Sequence, residues 1–147
     1  MFRLVPHTLL AVVAGVFLAQ SAQSCQCGAV PVPAAVSRAQ YVFLGLVTAI
    51  DDVPITIKAD DTHTYTGRAP RVTFRVGQRW KGAPTPSLSV VSSSDCAYTF
   101  QLGRSYLVFA EPDWFGGTFL IAPKCLPNAP RAMATESIRL LGPPLRP

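Results

Sequence analysis

Residues 41–50 have the sequence YVFLGLVTAI, an almost unbroken run of aromatic and branched side chains. Such a run predicts a β-strand. The segment Arg71–Val76 alternates strictly, so we expect Val72, Phe74 and Val76 to face a core while the intervening polar residues face water. These two segments decide the fold class, because both have the periodicity of strands rather than of helices.

Three further strands and two short helices complete the predicted pattern. The strands are Ser87–Ser92, Ser105–Ala110 and Gly117–Ala122. One helix begins near Val36, and the other extends over Ala129–Leu141. Five short strands separated by turn residues, with a helix near each end, predict a small all-β barrel or sandwich. Between the first two strands, the polar stretch 51–69 is either an extended loop or a hairpin.

The composition and the motif content exclude several classes of function. Of the 147 residues, 49% are hydrophobic and 14% are charged, and the formal net charge is +5. The hydrophobic share supports a packed core, and the low charge density argues against a coiled coil. The sequence contains no H-E-x-x-H motif, no G-x-S-x-G turn and no P-loop. We therefore expect a binding protein and not an enzyme.

The first 24 residues predict an export signal. A basic start with Arg3 is followed by a short apolar run, and the small side chains of Ala22 and Ser24 fit a signal-peptidase site. We expect cleavage between Ser24 and Cys25, which leaves residues 25–147 as one secreted, extracellular or periplasmic domain. A lipid anchor on Cys25 is the weaker alternative, and no membrane span is expected in the mature chain.

All four cysteines, Cys25, Cys27, Cys96 and Cys125, lie in the predicted mature chain. An even number of cysteines in an exported chain indicates disulfides, and four cysteines allow three pairings. A Cys25–Cys27 bridge would close a ring near the geometric limit. Both remaining pairings join the N-terminus to Cys96 and Cys125, and both stay open. A four-thiolate zinc site is disfavoured by the export signal and by the absence of a C-x-x-C motif.

His63 is the only histidine of the predicted mature chain, and it lies beside Asp60 and Asp61 in the polar stretch. We interpret it as a solvated loop residue. The alternative is a small metal site formed by these three side chains, although ligands so close in sequence are weakly spaced for that purpose.

Three arginines, Arg71, Arg75 and Arg79, recur every four residues on the second strand. The simplest interpretation is a solvated face of the sheet. The alternative is a basic stripe for an acidic partner such as a sulfated polysaccharide. Nucleic acid is not an expected partner, because the chain carries an export signal.

The cysteine pattern and the strand order together resemble the netrin-like module and, within it, the N-terminal domain of the tissue inhibitors of metalloproteinases. The segments that carry the resemblance are Cys25–Cys27, Tyr41–Gly45, Trp80–Gly82, Cys96–Val108 and Phe119–Ile121 with the following Cys125. It extends over residues 25–142. The resemblance implies a disulfide-stapled, five-stranded OB-fold barrel with flanking helices, and the disulfides Cys25–Cys96 and Cys27–Cys125.

The resemblance also implies a mechanism. In the family, the free α-amine and the carbonyl of the first cysteine chelate the catalytic zinc of a target protease, and the next side chain enters its main specificity pocket. Carried over, Cys25 is the chelator and Gln26 the pocket residue. The implied protease-binding ridge consists of Cys25, Gln26, Cys27, Gly28, Ser94 and Asp95.

The implied protein is thus a secreted metalloprotease inhibitor that has no cofactor of its own and contacts the zinc of its target. The alternative within the same module is a non-inhibitory adhesion or interaction module that binds an acidic polymer or protein. Gln26 replaces the Thr or Ser that is usual in the family, and Gly28-Ala29 replaces Val-Pro.

Overall fold

The computed structural model describes residues 25–58 and 60–146, and the predicted signal peptide, residues 1–24, lies outside them. In chain order, the elements are α1 (Val32–Arg38), β1 (Tyr41–Lys58), β2 (Thr64–Lys81), β3 (Ser87–Val91), β4 (Ser105–Pro112), β5 (Leu120–Ile121), β6 (Ala129–Pro130), a 3-10 turn (Arg131–Met133) and α2 (Thr135–Leu141).

Strands β1 and β2 form one long antiparallel hairpin. Its ladder extends to Thr56 opposite Thr66 and to Lys58 opposite Thr64. The stretch 51–69 therefore adopts the hairpin alternative, and both strands are longer than the predicted ones. Branched Ile and Thr side chains continue along this stretch, and they favour the extended backbone even where no core lies beneath it.

Two exposed ion pairs connect the strands of this hairpin extension. The Arg71 side chain lies 3.6 Å from Asp51 Oδ2, and Arg68 Nε donates a hydrogen bond to Asp52 Oδ2 at 2.5 Å. All four side chains are solvent-exposed, so each pair stabilises the hairpin by less than about 1 kcal/mol.

The strands form one antiparallel sheet in the order β3-β2-β1-β4-β5, with β6 paired beside β4. This confirms the predicted all-β class with flanking helices. The predicted five-stranded closed barrel is not observed, because the sheet has six strands and no ladder joins β3 to β5 among the described residues. The reason is the length of β5, which covers only two residues of the predicted strand 117–122, and both residues pair with β4.

The sheet buries both of its faces along β1 and β4. One face encloses an aromatic core in which the Phe74 ring packs edge-on against Phe43 at 5.4 Å and against Phe100 at 5.0 Å. The opposite face packs against α1 and α2 through Val42, Leu44, Leu107 and Phe109. Burial on both faces explains why β1 begins with a continuous apolar run instead of an alternating one.

The helix predicted over 129–141 is wrong in its first half. Ala129–Pro130 form a short strand, and α2 begins only at Thr135. A proline disfavours helical backbone in the residue before it and has no N–H to donate. Pro130 therefore keeps Ala129 extended, and the helix starts after a separate 3-10 turn.

The Trp80-Lys81-Gly82 turn connects the end of β2 to both helices. Lys81 Nζ donates a hydrogen bond to the Val36 carbonyl at 2.7 Å, in the last turn of α1, where a positive charge is favourable. Trp80 Nε1 donates to the Gly142 carbonyl at 2.8 Å, just beyond α2. Gly82 has φ +100, and a Cβ there would collide with an aromatic ring of β1. Only glycine fits at this point of the turn.

Replacing Gly45 with Ala is expected to destabilise the fold. A Cβ at Gly45 would lie 2.9 Å from a ring carbon of Phe43 and 3.1 Å from the Cβ of Phe74, and both side chains are fully buried. Overpacking of this kind costs about 1–3 kcal/mol. At Gly67 nothing lies within 4 Å of the added Cβ, so Gly67→Ala should stabilise by about 0.5 kcal/mol or be neutral. Urea unfolding compares the two variants, and equal effects would contradict the packing around Gly45.

Candidate functional site

Two disulfides fix the first residues of the described chain. Cys25 is bonded to Cys96 and Cys27 to Cys125, with Cα–Cα distances of 5.5 Å and 5.0 Å. No described cysteine is free. These are the pairs that the resemblance implies. Cys96 precedes β4 and Cys125 follows β5, so the N-terminal segment is tied to two separate connections of the sheet.

The segment Cys25–Gly28 lies outside any helix or strand and alternates in exposure. Cys25 and Cys27 are partly buried, whereas Gln26 and Gly28 are exposed. This alternation is typical of an extended chain whose successive side chains point to opposite sides. The sulfur atoms are directed towards the domain, and the Gln26 side chain is left in solvent.

Ser94 and Asp95 lie beside this segment because the next residue, Cys96, carries the disulfide to Cys25. Ser94 Oγ accepts a hydrogen bond from the Cys96 N–H at 3.3 Å, and the Ser94 carbonyl accepts one from the Ala97 N–H at 3.0 Å. Lys124 Nζ donates to the Asp95 carbonyl at 2.8 Å. These bonds hold a tight turn in which both Ser94 and Asp95 remain exposed.

The two predicted segments thus form one surface strip, which we call the N-terminal ridge: Cys25–Gly28 together with Ser94–Asp95. The Cys25–Cys96 bridge holds the two parts together. Every residue of the ridge is exposed or only partly buried, so no described part of the chain covers it. The strip is open to a partner along its length.

A cavity of about 370 Å³ borders the ridge. Ser94 and Asp95 form its edge on the ridge side, and Ile50, Tyr98 and Lys124 contribute to its walls. Burial raises the pKa of Tyr98 above that of a free tyrosine. Sequence reasoning missed this cavity because its walls come from separate segments, and only the aromatic Tyr98 beside the Cys96 turn could have signalled it.

The hairpin loop is built around Asp60. Its carboxylate accepts hydrogen bonds from the Thr62 N–H at 2.8 Å, from the Thr62 hydroxyl at 2.7 Å and from the His63 N–H at 2.8 Å. His63 Nδ1 lies 3.0 Å from the same carboxylate, and Asp61 takes no part in these bonds. Among the described residues, no group of three or more such side chains is placed to hold a metal ion. The cluster forms a turn, and the metal-site alternative is not supported.

Thr62→Val is expected to raise the pKa of Asp60. Hydrogen bonds from the Thr62 side chain, the Thr62 backbone and His63 lower this pKa from 3.8 to about 2. A carboxyl whose pKa is lower in the folded state adds stability above its unfolded pKa, and that stability is lost as the pH falls towards the folded value. The variant keeps the backbone N–H of residue 62 but lacks the hydroxyl, so the pKa of Asp60 should move part of the way back to 3.8. A carboxyl NMR titration measures it, and an unchanged midpoint would contradict the assignment.

The predicted arginine stripe is not uniform. Arg71 is paired with Asp51 at 3.6 Å, and Arg79 donates a hydrogen bond to the Gly82 carbonyl. Arg75 forms no ion pair with a described carboxylate and is exposed. The three arginines therefore have different surroundings.

Comparison with known proteins gives no family assignment. No protein-family model matches the chain, and no curated protein matches it. Among the described residues, no helix is both long enough and apolar enough to cross a membrane.

Proposed function

We propose that this protein is a secreted inhibitor of zinc metalloproteases, of the netrin-like tissue-inhibitor type. The observation that carries the proposal is the clamped N-terminal ridge, in which the Cys25–Cys96 disulfide ties the first residue of the predicted mature chain to an exposed turn. A second disulfide follows two residues later, at Cys27. Chain ends normally fray unless they are tied down, so this chain end is held in an unusually fixed position.

A free amine and carbonyl on Cys25 have the chemistry needed to cap a catalytic zinc. Such a zinc has three protein ligands and keeps the fourth position open for water or substrate. The amine nitrogen and the carbonyl oxygen of one residue form a five-membered ring with a metal ion. An α-amine also loses its proton near neutral pH far more readily than a lysine does. Displacement of the zinc-bound water removes the nucleophile of the protease.

The two disulfides reduce the cost of binding. A free peptide end would lose conformational freedom when it entered an active site, whereas a segment that is already ordered loses little. Gln26 is exposed between the two bridged cysteines, so its side chain is free to enter a pocket of the partner. A pocket suited to glutamine must offer hydrogen-bond partners to the amide, because a buried unpaired amide is costly.

The proposal includes the fold of this family, which is the OB-fold barrel. The observed order β3-β2-β1-β4-β5 becomes a five-stranded barrel if the seam between β3 and β5 closes, and these two strands approach each other. An OB-fold is a partly open Greek-key barrel, so an incomplete seam is compatible with it. The short β6 is then an addition beside β4.

Titration of protease active sites tests the proposed function. The exported protein is added in increasing amounts to a panel of zinc endopeptidases, with a serine and a cysteine protease as controls. We expect stoichiometric inhibition of at least one zinc enzyme, competition with a small hydroxamate that binds the zinc, and no effect on the controls. Inhibition of no zinc enzyme, or inhibition that a saturating hydroxamate leaves unchanged, would contradict the proposal.

A further inference from the structure

Helices α1 and α2 cover only part of the sheet face against which they pack, and the uncovered part of that face is basic. Along β1, Leu44 packs against the helix layer, whereas Leu46, two residues further on, is only partly buried. Leu46 pairs with Arg75 on β2 and with Ser105 on β4. These three residues form a row across the sheet, perpendicular to the strands.

Two more arginines lie at the end of this row. Strand β6 pairs with the start of β4, so that Arg131, which follows β6, lies beside Ser105. Arg104 directly precedes Ser105 in the chain. Neighbouring strands are about 4.8 Å apart, so the Cα atoms of Arg75 and Arg131 are roughly 14 Å apart across three strand spacings.

Two adjoining cavities follow the row. The first, of about 220 Å³, is lined by Arg75, Ser105 and Arg131, and also by Gly77, which has no side chain to fill it. The second, of about 580 Å³, is lined by Arg104, Ser105 and Arg131. Because the two cavities share Ser105 and Arg131, they form one concave surface. We call it the arginine groove and define it by Arg75, Arg104, Ser105 and Arg131.

No described carboxylate neutralises the arginine groove. Arg104 donates a hydrogen bond to the uncharged Gln101 side chain at 2.6 Å, and neither Arg75 nor Arg131 forms an ion pair within the described chain. The arginines that do pair with carboxylates are Arg38, Arg68, Arg71 and Arg139. Unpaired guanidinium groups around a concave surface focus a positive potential, and their N–H forks match the oxygens of anions.

We propose that the arginine groove binds the sulfate groups of an acidic polysaccharide. The Cα atoms of Arg75 and Arg131 are roughly 14 Å apart, so the arginine groove suits several anions on one chain better than a single free ion. Two disulfides are typical of proteins in an oxidising compartment, outside the reducing cytosol. A sulfated polysaccharide carries several anionic groups along one chain, and its sulfate oxygens match the N–H forks of arginine.

Nucleic acid fits the arginine groove less well. Proteins that bind single strands combine positive charge with aromatic side chains on which the bases stack. No aromatic residue lines either cavity. The groove also shares no residue with the N-terminal ridge, so this proposal goes beyond the inhibitory function and does not depend on it.

Salt-gradient elution from immobilised heparin, with full binding curves in solution, tests the proposal. The groove variant combines Arg75→Gln, Arg104→Gln and Arg131→Gln. The matched control combines Arg68→Gln, Arg71→Gln and Arg139→Gln, which removes the same charge from exposed arginines that are ion-paired. The groove variant should bind heparin about tenfold to a hundredfold more weakly, because each exposed charge contact raises the affinity by a few-fold. The control should keep most of the affinity, and circular dichroism verifies that both variants fold.

Three results would overturn the proposal. An equal loss of affinity in both variants would mean that net charge alone holds the polymer. Undiminished binding to chemically desulfated heparin would mean that sulfate is not recognised. Tighter binding to single-stranded DNA than to heparin at the same salt concentration would identify a different class of partner. Preferential loss in the groove variant, together with loss on desulfation, supports the assigned site.

Discussion

One alanine added in front of Cys25 is expected to reduce inhibition of the target protease by about a thousandfold or more, the scale of a strong binding hot spot. The added residue converts the Cys25 amine into an amide, whose nitrogen cannot coordinate zinc. It also places new backbone atoms where the zinc would lie. The disulfides and the sheet are untouched, so the stability of the domain should stay the same.

Two controls make this experiment decisive. An alanine added after Pro147 should leave inhibition unchanged, because it adds the same residue without altering the Cys25 amine. Acetylation of the Cys25 amine should reproduce the loss seen with the N-terminal alanine, because it blocks the same nitrogen with a smaller group. Equal inhibition constants for the native and the N-terminally extended protein would show that the amine does not bind the metal.

Removing the Cys27–Cys125 disulfide by Cys27→Ala with Cys125→Ala is expected to lower the free energy of unfolding by about 2–5 kcal/mol. The bridge spans 98 residues of sequence, so its loss frees a long loop in the unfolded chain. The variant should also inhibit more weakly, by about tenfold, because the segment around Gln26 must then be ordered on binding. Both effects come from one bridge, but they are measured separately.

Urea unfolding at equilibrium measures the first effect, and inhibition constants at a temperature where the variant remains folded measure the second. Stability is measured relative to the oxidised wild-type protein. The fully reduced wild-type protein should lose more stability than the variant, because both of its bridges are broken. A variant with an unchanged unfolding midpoint would contradict the stabilising role of the bridge. A destabilised variant with full inhibitory strength would contradict its role in ordering the ridge.

The longest strands could be predicted from local sequence pattern. Val72 and Phe74 are buried and Arg71 and Arg75 are exposed, as the alternation in β2 predicts. The pattern is reliable there because one face of the strand meets the core and the other meets water. The full length of the hairpin was less predictable, since beyond Ile50 the strands pair mainly with each other.

One predicted strand is shortened by a local turn that the strand propensity of its residues does not reveal. The predicted strand over 117–122 is shortened because Asp113 Oδ2 accepts a hydrogen bond from the Gly117 N–H at 2.8 Å and folds that stretch into a turn. Gly116, with φ +78, adopts a left-handed conformation in the same turn. Turn chemistry thus overrides the β-propensity of the residues that follow.

The two halves of the N-terminal ridge differ in how they could be found. Cys25, Gln26 and Cys27 are conspicuous because two cysteines follow a predicted cleavage site. Ser94 and Asp95 have no such signal, and they were singled out only through the family resemblance. Of the arginine groove, only Arg75 was singled out from the sequence, because the other residues join it only when separate strands meet in the folded sheet.

The proposed inhibition requires that the exported protein begin with an unmodified amine on Cys25, and this N-terminus can be measured directly. Intact mass before and after reduction, combined with N-terminal sequencing of the protein purified from the secreted fraction, identifies the first residue and any group attached to it. We predict a chain that starts at Cys25, carries two disulfides and has a free amine. A chain that retains residues before Cys25, or one with an acyl or lipid group on that amine, would contradict the proposed inhibition of a zinc protease.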